Sequence, residues 1–365
     1  MRIVKFTLIL MGLIAVVGTV AFFTLGPSIA ERRQNTITEH SPYDVSADAK
    51  ALHSRLIIAD WHADTMLWKR DFLKRSDRGH VDLPRMQEGN QAIQVFAAVT
   101  KSPAGLNYEE NSAEAFDNIT ALAVGQLWPI GTWGSLHERA VYQADKLNQF
   151  AEKSNGQFRV VTNKSELDVA LGERASGANL TIGLLGLEGA HALEGKIENL
   201  DRLESVGYRI IGLQHFFDNE LGGSLHGLGQ AGLTDFGREV VSEIERRGMV
   251  MDLAHSSPRV AWDALQMTNM PVIVSHTGIF SHCETERNFP DLLMKEIANS
   301  GGVVGIGFWA KVTCDDSQAG VACDFGAAGD LVGEDHVSLG CDWDCTVQVD
   351  FDATELPDIT QALRD

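Results

Sequence analysis

No long run of lysine or arginine appears in the 365 residues, which carry 30 basic against 50 acidic side chains and a formal net charge of -20. Nucleic-acid binding needs a concentrated basic footprint, so this balance counts against DNA, RNA and other acidic polymers as partners. Cysteine is scarce as well. Five residues (Cys283, Cys314, Cys323, Cys341 and Cys345) are too few for a disulfide scaffold, and their odd number leaves at least one without an intramolecular partner. Cys314 and Cys323 flank a short loop, and in an oxidising compartment they are the pair expected to join. Cys341 and Cys345 form a lone Cys-x-x-x-Cys, a weak zinc signal without a second pair.

Long apolar runs are missing too, with one exception. After Arg2 and Lys5, the stretch from Phe6 to Leu25 is uncharged and mostly apolar, and Gly26, Pro27 and the polar Glu31-Arg-Arg33 follow it. About 20 such residues are near the span of a bilayer, while Ser28-Ile-Ala30 also reads as a small-residue cleavage site. Residues 1–28 are therefore expected to be a membrane anchor or an export signal. Either way, positive charge on the N-terminal side leaves the rest of the chain outside the cytoplasm, at the cell surface or in the periplasm. Residues 29–49 are polar and unpatterned and are expected to be a tether, with one folded domain over 50–365. Asn118, Asn163 and Asn179 each begin an Asn-x-Ser/Thr sequon, which matters only in a host that glycosylates exported proteins.

What the remaining chain does have is a repeat of short β-branched runs alternating with longer amphipathic stretches, the pattern of parallel strands joined by helical crossovers. Eight runs stand out: Leu56–Asp60, Ala92–Val99, Ile182–Leu187, Arg209–Leu213, Val250–Ala254, Val272–Ser275, Val303–Phe308 and Val337–Gly340. Phe158–Thr162 reads as an accessory strand. Helical stretches include Glu110–Trp128, Leu136–Asn155, Asp235–Arg247 and Arg259–Met267. Eight β/α units in one domain predict an α/β fold, a (β/α)8 barrel. In such barrels chemistry sits at the C-terminal strand ends. His62 and Asp64 follow the first run, Glu188 the third, His215 the fourth, His255 the fifth, His276 the sixth and Asp342 the eighth. Taken singly, each is more simply a hydrogen-bonded loop residue. Together they converge from six of eight strand ends. Neutral imidazoles and carboxylates hold zinc and similar divalent ions, a glutamate can bridge two of them, and a metal pair activates water.

Two other patterns are set aside. Gly227-Leu-Gly-Gln-Ala-Gly232 spells a dinucleotide fingerprint but does not directly follow a strand. His80-Val-Asp82 repeats the His-x-Asp pattern but precedes the second strand, so it is expected at the opposite, N-terminal rim, with Asp82 capping the turn at Leu83-Pro84.

The segments Asp60-Trp-His-Ala-Asp64, Gly186-Leu-Glu-Gly189, Leu213-Gln-His215, Met251-Asp-Leu-Ala-His-Ser256, Val274-Ser-His276, Arg287-Asn-Phe-Pro290 and Gly340-Cys-Asp-Trp-Asp344 resemble, in order and spacing, the membrane dipeptidases (renal dipeptidase-like) of the amidohydrolase superfamily. The resemblance implies a metal-dependent barrel with two Zn²⁺ per chain. His62 and Asp64 would hold one ion, His255 and His276 the other, and Glu188 both. It further implies that His215 steadies a developing oxyanion, Arg287 clamps a substrate carboxylate and Asp342 is the general acid/base. The substrate would be a dipeptide, and a homodimer is compatible. Trp309 stands where the family is expected to have a tyrosine in the substrate pocket, and Cys341, Trp343 and Cys345 surround Asp342 with unusual side chains. The chain stops at Asp365 within what reads as the last helix, so closure between the first and eighth strands is the expected weak point. Two other functions fit the same barrel: hydrolysis of another amide, lactone or ester, and a tethered binding protein without catalysis.

Overall fold

The structure is a computed structural model describing residues 2–365. Its strands are β1 (Thr36–Ile37), β2 (Ile58–Ala63), β3 (Gln91–Val99), β4 (Phe158–Val160), β5 (Thr181–Glu188), β6 (Tyr208–Gly212), β7 (Val250–Asp252), β8 (Ile273–Thr277), β9 (Val303–Ile306), β10 (Val337–Leu339) and β11 (Gln348–Val349). Strands β2, β3 and β5 to β10 form a closed parallel barrel, β10 pairing with β2 at Leu339 and Asp60 and β3 pairing with β5. These are the eight runs anticipated from the sequence. β4 is an accessory strand laid beside the N-terminal half of β5.

Strand alternation separates two apolar layers. Val95, Leu184, Ile210 and Ile273 form one small cluster, while their neighbours Phe96, Leu185, Ile211 and Val274 join the large core. Successive side chains on a strand point to opposite faces, so one set fills the barrel and the other meets the helices.

The helices are α1 (Arg2–Thr24), α2 (Gly26–Gln34), α3 (Ala47–His53), α4 (Leu83–Glu88), α5 (Asn118–Gly125), α6 (Leu136–Lys153), α7 (Lys164–Ala175), α8 (Asn199–Ser205), α9 (Asp235–Arg247), α10 (Pro258–Met267), α11 (Asp291–Asn299), α12 (Ala310–Thr313), α13 (Gln318–Val332) and α14 (Leu356–Ala362). Polar caps start many of them. Thr234 Oγ1 accepts from Gly237 N at 3.0 Å at the head of α9, whose end is set by Gly248 in the left-handed region. The long helix expected over Glu110–Trp128 is reduced to α5. Asp117 breaks the run, accepting from Ile119 N at 3.0 Å and pairing with Arg139.

α1 is exposed, and by length and composition it can cross a membrane. The stretch 29–49, expected as a tether, is instead ordered against the barrel. It holds most of α2, β1 and the start of α3, and β1 pairs in parallel with β11. Glu31 of α2 is buried, in ion pairs with Arg70 at 2.9 Å and Arg78 at 2.7 Å.

Two further expectations are corrected. The disulfide joins Cys283 to Cys314 rather than Cys314 to Cys323. The loops after neighbouring strands β8 and β9 meet above the barrel, so residues 31 apart become adjacent, whereas α13 carries Cys323 to an exposed position. His80 is not at the N-terminal rim. The loop leaving β2 stays at the C-terminal side, where His80 N donates to Asp344 Oδ1 at 2.7 Å, and only α4 returns the chain to the far end. Asp82 does cap α4, accepting from Arg85 N at 3.0 Å.

The barrel closes despite the expected weakness there. An apolar groove of about 280 Å³ remains beside β2 and β10, lined by Ile58, Leu339, Leu356 and Ile359 among others. On α13, Asp324 is fully buried and neither carboxylate oxygen has a hydrogen-bond partner. Burial pushes it from 3.8 up to about 7. The folded chain therefore holds this proton more tightly than the unfolded one, and stability is lost as pH rises towards 7. Asp324→Asn should remove about 2 kcal/mol of the fall in unfolding free energy between about pH 5 and pH 7, read by urea titration at both.

Candidate metal centre

Eight side chains singled out in the sequence converge at the C-terminal mouth of the barrel or immediately beside it. Glu188, the last residue of β5, stands at the centre. Its Oε1 lies 3.1 Å from His255 Nε2, 3.5 Å from His62 Nε2 and 3.6 Å from His276 Nε2, and its Oε2 lies 3.5 Å from His215 Nε2. His62 Nε2 is also 3.5 Å from Asp64 Oδ1 and 3.8 Å from Asp342 Oδ1. All these side chains are buried.

Local backbone makes the convergence. Gly189 follows Glu188 with φ 91°, and a Cβ there would lie 2.3 Å from the His191 ring and 3.2 Å from His215 Cβ. Only glycine tolerates both constraints. His255 and Asp342 adopt φ 62°, a left-handed conformation costing about 1 kcal/mol or more in a residue with a side chain, which aims both inward. Two carboxylates given no role at the site by the sequence bind the strand ends together. Asp60 accepts from His62 N at 3.0 Å and Cys341 N at 2.8 Å, and Asp252 accepts from Ala254 N at 3.0 Å and Ser275 N at 2.9 Å. The signal was in the sequence, an acid two residues before a His or Ala at a strand end.

The polar atoms that face one another are short of partners. His62 Nε2, both oxygens of Asp64 and of Glu188, His215 Nε2 and Asp342 Oδ1 are buried with no hydrogen bond. His255 Nε2 and His276 Nε2 approach to 2.9 Å. Buried lone pairs turned on one another are costly unless cations lie among them, and imidazole with carboxylate is a donor set that divalent ions accept. The residues fit a metal pair. Burial, reinforced by His62 and Arg287, holds His276 well below its usual range and so neutral; burial and Arg287 do the same for His255. Burial also works to raise Glu188, but the imidazoles of His215 and His62 outweigh it and keep it ionised. Asp342 is raised well above the carboxylate range by burial, with Glu188 and Asp64 adding to the effect.

Around this group, Arg287 is buried and donates from Nη2 to His276 O at 2.8 Å, leaving Nε and Nη1 without partners. Its guanidinium lies 5.8 Å from the Trp309 ring centroid. Trp309 Nε1 in turn donates at 3.1 Å to the hydroxyl of Tyr108, so the loop after β3 brings a tyrosine up to the tryptophan that replaced the expected one. His215 Nδ1 lies 3.1 Å from Lys101 O, which assigns its proton to Nδ1. A cavity of about 150 Å³ opens onto Asp64, His215, Asp342 and Cys345. It shares Leu67, Leu106 and Ile119 with an outer apolar cavity of about 370 Å³ whose other wall includes Phe22 and Pro27 of the N-terminal helices. The Gly227–Gly232 loop belongs to neither; Gly229 N donates to Asp218 at 2.6 Å.

Comparison with known proteins identifies a family and a shared fold. The family model described as membrane dipeptidase (peptidase family M19) matches residues 46–365. An uncharacterized dipeptidase of Schizosaccharomyces pombe, C965.12, is 29% identical over 280 residues, which are 73% of this chain and 61% of that protein. Dipeptidase aclJ of Aspergillus oryzae is 26% identical over 344 residues, 86% of this chain and 73% of that one. The chain thus spans about three-fifths of the first relative and about three-quarters of the second. Among solved structures, a metallopeptidase from Rhodobacter sphaeroides, liganded with a phosphinate mimic of the dipeptide L-Ala-D-Ala, superposes with a TM-score of 0.67 at 23% identity, covering 85% of this chain and 92% of that one. The probable dipeptidase PvdM from Pseudomonas aeruginosa gives 0.71 at 16% identity, covering 87% and 91%. These likenesses show the fold. With the family model matching most of its length, the chain belongs to the membrane dipeptidase family.

Proposed function

We propose that the protein hydrolyses dipeptides at a two-zinc centre, His62 and Asp64 holding one ion, His255 and His276 the other, and Glu188 both. The observation that carries this reading is the set of unpartnered carboxylate and imidazole atoms around Glu188, with two unpaired Arg287 donors beside it. Bound there, a pair of divalent ions supplies an acidified water and a polarised carbonyl.

The chain's own residues do the rest. Arg287 Nε and Nη1 are free to donate, and its charge draws a substrate carboxylate, which selects a short peptide with its C-terminus at the site. Asp342, buried beside His62, would be ionised once cations offset the charges of Glu188 and Asp64, and then takes a proton from the attacking water and returns it to the leaving amine. His215 donates through Nδ1 to Lys101 O, so steadying an oxyanion through Nε2 requires a proton on that nitrogen as well, which lies 3.5 Å from Glu188 Oε2. Tyr108 lines the pocket, and behind it Trp309 lies between the Tyr108 hydroxyl and Arg287. α1 anchors the barrel outside the cytoplasm.

The test is a panel of dipeptides offered to the full chain after zinc loading, with metal measured on the same preparation. Cleavage with two zinc ions per chain is expected. Arg287→Ala should lower kcat/KM for dipeptides by about 2 kcal/mol, roughly 30-fold, while an amide lacking the carboxylate is unaffected. No cleavage across the panel would defeat the proposal, fewer than about one zinc per chain would favour a binding protein, and an unchanged Arg287→Ala would favour another amide, lactone or ester.

A further inference from the structure

Beyond the five proposed ligands, the mouth of the barrel holds a sulfur. The loop leaving β10 runs Cys341-Asp-Trp-Asp-Cys-Thr346, and its residues Asp342, Asp344 and Thr346 have φ of 62°, 65° and 60°. This alternation folds the loop back over the barrel. Trp343 O takes the Asp64 amide at 2.9 Å, and Asp344 is fixed by Thr65 Oγ1 at 2.7 Å and by the His80 amide at 2.7 Å. Cys345 is thereby carried into the site rather than away from it. Its Sγ and one ligand atom each of His62, Asp64 and Glu188 all lie within 4.8 Å of one another. Three of those four residues present buried atoms without partners, namely His62 Nε2 and both oxygens of Asp64 and Glu188. Cys345 is outside the single disulfide observed among the described residues, and it lines the same cavity as Asp64 and Asp342.

Resting on the two-metal reading above, we infer that Cys345 Sγ is a further protein ligand to the ion held by His62 and Asp64, giving that position a mixed imidazole, carboxylate and thiolate set. The sulfur, unlike a water or a third carboxylate, discriminates between metals. Thiolate suits zinc, cobalt and other borderline or soft ions and is a poor donor to magnesium or manganese, which prefer oxygen. Binding exchanges the thiol proton for the metal bond and releases that proton to solvent, with no change of oxidation state. Among the described residues no cysteine joins the group of Glu188, His215 and His255, so the two positions would differ in softness and the thiolate position is the one expected to hold zinc more tightly. Without the ion, the thiol instead faces the Asp64 carboxylate.

Cobalt substitution of the full chain reads this directly. Wild-type protein loaded with Co²⁺ should show a thiolate-to-cobalt charge-transfer band in the near ultraviolet, and Cys345→Ser should lose that band while keeping the visible ligand-field bands of the remaining ligands. Chelator competition should find zinc held about tenfold or more weakly at one position in Cys345→Ser. Its preference for zinc over manganese should fall in parallel, and Cys323→Ser, at an exposed cysteine, should match wild type. A cobalt-loaded wild type without the band, or a Cys345→Ser variant whose zinc affinity stays within twofold of wild type, overturns the assignment and leaves the thiol as a neighbour of the site only. Wild-type protein that takes up no cobalt defeats the two-metal reading itself. Should Cys345→Ser not accumulate, the wild-type spectrum decides alone.

Discussion

Glu188→Gln should lower kcat/KM for dipeptides by about 10³-fold or more, roughly 4 kcal/mol, and should cut the metal content below two ions per chain. Glutamine keeps the shape and loses two things at once. The negative charge that four imidazoles surround is gone, and one of the oxygens facing them at 3.1 to 3.6 Å becomes an NH₂ donor, which cannot ligate a cation. Each proposed ion retains its other side-chain ligands, so one position is expected to survive at reduced affinity. The loss should therefore appear in kcat as well as in metal stoichiometry, and saturating zinc should not restore it. Metal analysis beside steady-state kinetics checks this. A variant with two ions and full activity would remove Glu188 from the centre.

Much of that centre could be read without coordinates because strand ends in a barrel are marked by a change of pattern. The β-branched runs ending before His62, Glu188, His215, His255 and Asp342 gave both the fold and the mouth. What escaped reading was whatever depends on loops meeting over the barrel. Cys283 and Cys314 are far apart in sequence and adjacent in space because β8 and β9 are neighbours, while nearness in sequence favoured the wrong partner. Tyr108 carries no periodic signal in its loop, yet it reaches Trp309 from the far side of the mouth. His80 was misplaced because the long loop after β2 does not turn downward until α4 begins. The polar stretch before residue 49 looked like a tether because a helix docked by ion pairs is polar on the very face it buries.

That docking gives the largest expected stability effect. Arg70 is buried between two carboxylates, its Nε 2.9 Å from Glu31 Oε1 and its Nη2 paired with Asp344 Oδ2. Room for it exists because residue 79 is glycine at φ 73°; a Cβ there would lie 2.5 Å from the guanidinium carbon. Arg70→Met preserves much of the packing and removes the charge. Glu31 then keeps only Arg78, and Asp344 keeps its bonds from Thr65 and His80 but no counterion. Stranding buried carboxylates in this way should cost about 5 kcal/mol. The sign of the pH dependence follows from Glu31. Burial already raises it above the usual carboxylate range, against the opposing pull of Arg70 and Arg78, and losing Arg70 raises it further. A folded carboxyl titrating above its unfolded value contributes stability at low pH that disappears as pH rises through the folded value. The deficit of Arg70→Met should therefore be largest near about pH 8 and shrink towards about pH 5, as urea titrations at both would show. Asp344 fixes the loop carrying Asp342 and Cys345, and Thr65 adjoins Asp64, so zinc retention should weaken in the same variant. A loss below about 1 kcal/mol at both pH values would mean that α2 is held by its apolar contacts and that the ion pairs only orient it.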